Sequence, residues 1–355
     1  MHVATADWAG AGRAGVLERL PLVTLYLSER CNSRCISCDY WRHGRADLSL
    51  DAVAKLLPDL ARLRTEVVQV SGGEPLLNPQ WAAIAQLLRA QGLRLWLLTS
   101  GLSLLKHAQR AAALFEAITV SLDGTSAATY AAIRGLEAFD RVCAGISAAA
   151  RAGAAVSVRV TLQRGNFREL PAFVDLARRL GASRVSFLAV DVANHHAFAR
   201  QGDEVPDLAM RPADLPVLAQ LLAALESEHA EDFRTGFIAE TPQKLRRIHQ
   251  YFAAVCGLAP YPPVRCNAPQ FSAVVGARGE VSPCFFIAGP RGGASAPGLE
   301  GTLNDVPHVA QRGAIRAGAR PECARCVCSM WREPQELSAA QLLSRAQTHS
   351  PDGRT

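Results

Sequence analysis

The 355-residue chain contains no stretch of eighteen residues free of charge, so it offers no candidate for a transmembrane helix. Its first twenty residues carry Asp7, Arg13, Glu18 and Arg19 and lack the apolar core of a secretory signal, and a cytoplasmic location is expected. Low-complexity tracts are missing too. With 49% apolar and 20% charged residues the chain can bury a core, which excludes disorder, collagen and coiled coil as its main architecture. No Lys/Arg block with interleaved aromatics is present. The net charge of +6, from 38 basic and 32 acidic residues, is spread along the chain and gives no support to nucleic-acid binding. Cysteines are also sparse: ten is about 3%, against roughly 8–10% in a disulfide scaffold. The length allows one large domain with an appendage, or two.

What is there is a repeat of local patterns. Short apolar runs at Leu22–Leu27, Glu66–Val70, Leu93–Thr99, Ala117–Leu122, Val156–Leu162 and Arg184–Val190 alternate with stretches of helical apolar spacing. The latter include Leu50–Leu63, Gln80–Gln91, Leu102–Phe115, Phe139–Arg151 and Phe167–Leu180. Six β-then-α units imply an α/β fold with a parallel sheet, either doubly wound or a partial (β/α) barrel, with function at the carboxyl ends of the strands. Cys31 follows the first run, Ser71-Gly72-Gly73-Glu74-Pro75 the second, Thr99-Ser100-Gly101 the third and Ser121-Leu122-Asp123-Gly124 the fourth. After Asp191 the alternation stops. Helices are expected over Ala213–Glu228 and Pro242–Cys256, and then a hairpin of Gln270–Gly276 and Val281–Phe286 about a turn at Arg278-Gly279-Glu280. A glycine-rich loop (Gly289–Gly301), a helix near Asn304–Ala317, a cysteine knot at Cys323–Cys328 and a disordered tail beyond His349 complete the reading. The segments divide as 1–20, a core of 21–191, a helical connection of 192–262, a second cysteine region of 263–332 and a tail of 333–355.

Clustered cysteines in a reducing compartment read as metal or redox sites rather than disulfides. The sharpest cluster is Cys31-Asn32-Ser33-Arg34-Cys35-Ile36-Ser37-Cys38. Three thiolates in one loop can converge on a cubane, yet an ordinary [4Fe–4S] site takes four, and structural zinc also takes four. One iron would be left open to a chelating ligand. The loop resembles the CxxxCxxC signature of the radical S-adenosylmethionine (radical SAM) superfamily. That resemblance implies a partial (β/α)6 barrel and a [4Fe–4S] cluster on Cys31, Cys35 and Cys38. It also implies that SAM chelates the open iron and is reductively cleaved to a hydrogen-abstracting 5′-deoxyadenosyl radical, the electron coming from a flavodoxin- or ferredoxin-type reductant. The family often places an aromatic residue just before the third cysteine; here it is Ser37, and Tyr40 or Trp41 is the candidate to stack on adenine.

The same resemblance assigns the remaining SAM contacts. Gly72, Gly73 and Glu74 match the segment that holds the SAM amino group, glycines giving close backbone approach and the carboxylate accepting from an ammonium. Ser121 and Asp123 fall near the ribose, and Ser100 takes the small polar position after the third strand. Arg134, Arg159 and the strand end around Leu188 fall where further SAM contacts are found.

Cys266 and Cys284, with seventeen residues between them, bracket the hairpin, Gly279 lies five residues before Cys284, and Cys323-x2-Cys326 follows. The arrangement resembles the single-cluster "twitch" form of the SPASM extension, implying one auxiliary [4Fe–4S] cluster on Cys266, Cys284, Cys323 and Cys326. Cys328 is a substitute for Cys326 or a bystander, and a four-cysteine zinc site is the alternative.

A radical enzyme with a second cluster can pass the substrate electron to it, a net oxidation. Alternatively a cysteine returns hydrogen to the opposite face, an epimerisation, with Cys256 ahead of Cys143 as donor. Few residues precede the first strand, fewer than a leader-recognition domain needs, which favours a small-molecule substrate or a peptide recognised without that module. His195, His196 and Asp191 are candidates to line the pocket. The contrasting reading is a non-catalytic zinc- or iron–sulfur-stabilised binding protein.

Overall fold

The computed structural model describes residues 11–12, 15–200, 207–290, 298–328 and 330–333; the expected tail and most of the glycine-rich loop lie outside the described residues. The six apolar runs form strands β1 (Leu22–Ser28), β2 (Val67–Gly72), β3 (Arg94–Thr99), β4 (Ala117–Ser121), β5 (Ala155–Leu162) and β6 (Arg184–Ala189). Each pairs in parallel with the next. Helices α1 (Leu50–Arg62), α2 (Trp81–Ala90), α3 (Leu104–Leu114), α4 (Ala127–Arg134), α5 (Phe139–Arg151) and α6 (Leu170–Arg179) return the chain between or after them. Caps fix their starts: Ser49 accepts from the Ala52 amide and Ser126 from the Thr129 amide. The short helix α4 was not among the expected elements, although Ser126 before it and Gly135 after it, at φ 74°, are ordinary start and stop signals.

The strands differ on their two faces. In β5, Val156, Val158, Val160 and Leu162 are fully buried against the helices, while Ser157, Arg159 and Thr161 on the other face are half-buried. The second face is polar and lines the concave side of an open sheet. In the register, Ser121 of β4, Arg159 of β5 and Ser186 of β6 form one row across it. The partial barrel is therefore curved around a hydrophilic lumen instead of a second apolar core.

The hairpin is strand β7 (Ser272–Val275) paired antiparallel with β8 (Val281–Ser282). It does not form a sheet of its own. Strand β7 pairs in parallel with β1, so the sheet has eight strands in the order β8-β7-β1-β2-β3-β4-β5-β6 and is not closed. Strand β8 is shorter than the expected Val281–Phe286 because Pro283 has no amide to donate. At the other edge, Ile238 bridges Val185 of β6, with Val185 N donating to Phe237 O and Ala239 N to Val185 O, which covers the open edge. The helical connection contributes α7 (Leu215–Glu228) and α8 (Pro242–Val255).

Part of the expected glycine-rich loop is helical: Gly298–Leu303 forms a turn of helix, and α9 (Val306–Arg316) follows. The reason is a partner on the core. Asp59 of α1 is 4% exposed and accepts from the Leu299 amide at 2.5 Å, while Arg62 bonds Glu300. Asn304 holds both the amide and the carbonyl of Leu17, and Arg312 donates to Gly15 O at 2.8 Å. The C-terminal segment thus clamps the chain entering β1. Among the described residues no helix is long and apolar enough to cross a membrane.

Replacing Asp59 by Ala removes this cap and leaves the Leu299 amide buried without its acceptor. The expected loss is about 1–3 kcal/mol of stability, read as a lower urea midpoint with unchanged slope.

Candidate active site

Strand β1 ends at Ser28, and the chain turns into the three-cysteine loop at the carboxyl edge of the sheet. Backbone hydrogen bonds fix that loop on the end of α4. Arg34 N donates to Arg134 O at 2.9 Å and Ile36 N to Ile133 O at 3.0 Å. The approach is too close for side chains. A Cβ on Gly135 would lie 2.2 Å from Arg34 O, and one on Gly73 would lie 2.5 Å from the carbonyl oxygens of both Glu29 and Arg30. Arg30 N in turn donates to Ser28 Oγ, and its guanidinium pairs with Asp47.

Burial pushes the Cys31 and Cys38 thiols up to about 12, and Arg134 works against that shift in both. Arg134 itself is buried, its Nη1 3.0 Å from Asp123 Oδ2. Burial alone would lower its affinity for a proton, and the neighbouring Cys35 and Asp123 outweigh it. Its Nε has no hydrogen-bond partner among the described residues. Three soft donors, a cation behind them and an orphaned N–H fit an anionic iron–sulfur group. Among the described residues no three His, Cys, Asp or Glu side chains close around one point as ligands of a single ion would.

The strand ends are more tightly engaged than expected from the sequence. Glu74 is fully buried, and its carboxylate accepts from Thr99 Oγ1, the Ser100 amide at 2.8 Å, Ser100 Oγ at 2.6 Å and the Leu76 amide. It ties the β2 and β3 ends together, and a carboxylate so occupied orients the Gly72–Gly73 backbone. Ser100 is buried and also donates to Asn32 Oδ1 in the cysteine loop. Asp123 is 3% exposed and committed to Arg134 and to the Thr161 amide at 2.7 Å. Burial raises its pKa even with Arg134 beside it. Ser121 and Leu188 remain half-buried on the concave face.

Tyr40 starts a single helical turn, Tyr40–His43, and its ring meets Tyr26 edge-on at 6.2 Å. Tyr26 in turn stacks on Phe285 at 6.4 Å, next to Cys284. Tyr26 is thus placed between the two cysteine groups, where burial, then Tyr40 and the Cys38 and Cys284 thiols, raise its pKa. Nothing in the sequence singled it out except its inward position in β1. Arg200 was missed as well: it donates to Ser37 O, Asn194 O and Asp191 O, clamping the cysteine loop to the end of β6. Asn194 Nδ2 reaches Phe286 O at 2.6 Å, which carries the same clamp to the hairpin. His195 is half-buried and His196 exposed in this loop.

The second cysteine group gathers at the hairpin end. Burial, followed by the neighbouring Cys266 and Cys328 thiols, moves Cys284 up to about 12. Burial also raises Cys326, with Cys328, Cys266 and Cys284 adding to it, and Cys323, to which Cys266 adds. Cys328 N donates to Cys326 Sγ at 3.3 Å. Burial raises the pKa of the Cys328 thiol, and the charges of Lys244 and Arg159 oppose that shift. Cys256 is elsewhere: it caps α8 and its thiol donates to Met210 O at 3.2 Å.

Residues 25–177 match the family model of the Radical SAM superfamily. The AdoMet-dependent heme synthase of Methanosarcina barkeri (strain Fusaro / DSM 804) is 30% identical over 203 residues, 54% of this chain and 55% of that protein. Mycofactocin maturase MftC of Mycobacterium tuberculosis (strain ATCC 25618 / H37Rv) is 30% identical over 166 residues, 45% of this chain and 42% of that protein. The chain spans about half the length of the curated relatives it matches. Streptococcus suis SuiB bound to S-adenosylmethionine shares the fold, with a TM-score of 0.62 and 13% identity over 92% of this chain and 78% of that one. The match begins inside β1, takes in the whole cysteine loop and ends in α6. Residues 25–177 thus form a domain of the radical SAM superfamily, whose cofactors are a [4Fe–4S] cluster and S-adenosylmethionine.

Proposed function

We propose that this radical SAM enzyme carries out a net oxidation of an organic substrate held in the lumen, with a second cluster as electron acceptor. The observation that carries the reading is the three-cysteine loop, fastened to the α4 end and backed by a buried arginine with an unused N–H. Cys31, Cys35 and Cys38 would hold the cluster. When bound, the cluster and SAM supply a 5′-deoxyadenosyl radical that removes hydrogen from a substrate carbon.

The chain's own residues bind, orient and exclude water. Gly72 and Gly73 offer backbone without side chains beside the loop, and Glu74 holds that backbone against Ser100. Ser121 and Leu188 present a hydroxyl and an apolar surface to the ribose and adenine side, with Tyr40 as the aromatic wall. Asp123 keeps Arg134 in place rather than reaching a ligand hydroxyl itself. Arg200 fixes Ser37 and closes the loop from above.

The auxiliary cluster would sit on Cys266, Cys284, Cys326 and Cys323, with Cys328 as the alternative fourth ligand. Tyr26 and Phe285 fill the space between the two cysteine groups with aromatic side chains. Oxidation is favoured over epimerisation because the Cys256 thiol is turned onto Met210 O. The relatives include a heme synthase and a peptide cyclase, so both a small molecule and a peptide are in range as substrates. A flavodoxin- or ferredoxin-type protein is the proposed reductant.

Replacing Cys31, Cys35 and Cys38 together by Ala tests the assignment. After anaerobic reconstitution the intact chain is expected to bind about eight irons and the variant about four, with release of 5′-deoxyadenosine abolished. Full zinc occupancy and no SAM cleavage by the intact chain would favour the binding-protein reading instead. Replacing Gly73 by Ala drives a Cβ into two carbonyl oxygens. The expected cost is about 1–3 kcal/mol, measured as a lower thermal midpoint together with iron retention below that of the wild type.

A further inference from the structure

The concave face of β4 to β6 carries a cation, Arg159, that has no ion-pair partner among the described residues. Arg159 extends from the middle of the Ser121–Arg159–Ser186 row, and its neighbours on both sides are short hydroxyl side chains that leave room for it. Its Nε is buried without a hydrogen-bond partner, and its guanidinium forms no ion pair among the described residues. The carboxylate that acts on it is Glu240, which is itself 3% exposed and makes no ion pair with Arg159. Glu240 Oε1 accepts from Ser186 Oγ and Oε2 from the Phe187 amide, both at 2.8 Å, and Lys244 Nζ lies 3.9 Å from Oε1. Asp191, at the end of the same strand, is likewise taken, its Oδ1 accepting from the amides of Ala193 and Asn194. Among the described residues the Arg159 guanidinium therefore has charged neighbours but neither an ion pair nor a hydrogen bond at Nε.

A desolvated guanidinium with free N–H groups is stabilised by an oxyanion placed in its fork, and two parallel charge-assisted bonds give the contact its direction. We infer that Arg159 binds a carboxylate or phosphate group of the substrate inside the lumen. The inference rests on the radical SAM reading proposed above and narrows its substrate to an anion. The position suits the task. Ser121 in the same row lies on the side of the SAM cradle, whereas Cys328, which senses both Arg159 and Lys244, lies on the side of the second cysteine group. An anchor between the two would hold the substrate between the hydrogen-abstracting radical and its electron acceptor.

The test uses the full chain, reconstituted anaerobically and loaded with SAM. Sodium propionate and inorganic phosphate are titrated separately against sodium chloride of equal ionic strength, with the thermal midpoint as readout. One of them is expected to raise the midpoint saturably in addition to the effect of SAM. Propionate alone identifies a carboxylate substrate, and phosphate alone a phosphorylated one. Replacing Arg159 by Gln is expected to weaken that binding by roughly tenfold or more, and Arg159→Lys to retain part of it.

The inference is overturned if neither anion outperforms chloride on the wild-type protein, a result that needs no variant to fold. It is also overturned if Arg159→Gln binds as tightly as the wild type, or if SAM and the anion displace one another, since Arg159 would then hold the SAM carboxylate. Release of 5′-deoxyadenosine in the same preparation keeps the two readings apart. Release without anion binding sinks only the anchor, whereas iron-loaded protein that never cleaves SAM sinks the enzymatic assignment.

Discussion

A guanidinium taken out of water is stabilised by negative charge placed beside it, and Arg134 is the residue on which this site turns. Its partner Asp123 comes from the end of β4, its backbone carbonyl receives Arg34 and Ser33 of the cysteine loop, and its charge faces Cys35 and Cys31. Removing one member of such a buried pair costs about 3–5 kcal/mol, since the survivor is left charged and unpaired. Loop, strand end and helix end are therefore coupled through one side chain. A loop of alternating small and polar residues has little apolar surface with which to hold itself, so this outside attachment is what gives three thiols a fixed relation.

The second constraint is the period of the strand. Because side chains alternate between faces, one strand can be aliphatic toward the helices and hydrophilic toward the lumen, as β5 is with Val, Val, Val and Leu against Ser, Arg and Thr. A closed barrel would have to fill that inner face. This sheet stays open, keeps the polar face wet or ligand-filled, and covers its free edge with residues 237–239 instead. The same short segment delivers Glu240 beneath Ser186, so protection of the edge and charge in the lumen come from one stretch of chain.

Much of this was legible in the sequence for a physical reason. Apolar periodicity reports burial, and burial is what organises β1 to β6 and their helices, so apart from the unexpected α4 their boundaries agree within a few residues. The cysteine spacing was legible because ligands to one group must be neighbours in space. Other features were hidden because they depend on partners far along the chain. Gly298–Leu303 is helical only because Asp59, 240 residues earlier, receives its first amides. Glu74 looked available to a ligand, and the donors that occupy it belong to the next strand. Arg200 sits in an unremarkable loop, and its three backbone acceptors are brought together only by the fold.

The hairpin shows why the two cysteine groups have to be considered as one construction. Had β7 and β8 formed a separate sheet, the distance between the groups would be set by a linker and by whatever surface the extension buried. Parallel pairing of β7 with β1 removes that freedom, since Leu22 to Leu25 are locked in register with Ser272 to Val275. Strand β1 leads at its carboxyl end to Cys31, and β7 leads through the turn to Cys284. Tyr26, one residue beyond the shared register, then contacts Tyr40 on one side and Phe285 on the other. Hydrogen bonds between adjacent strands are short and directional, and a slip of one residue would turn Tyr26 out of the lumen. The spacing of the two thiol groups is accordingly a property of the sheet ladder, fixed before any cofactor binds.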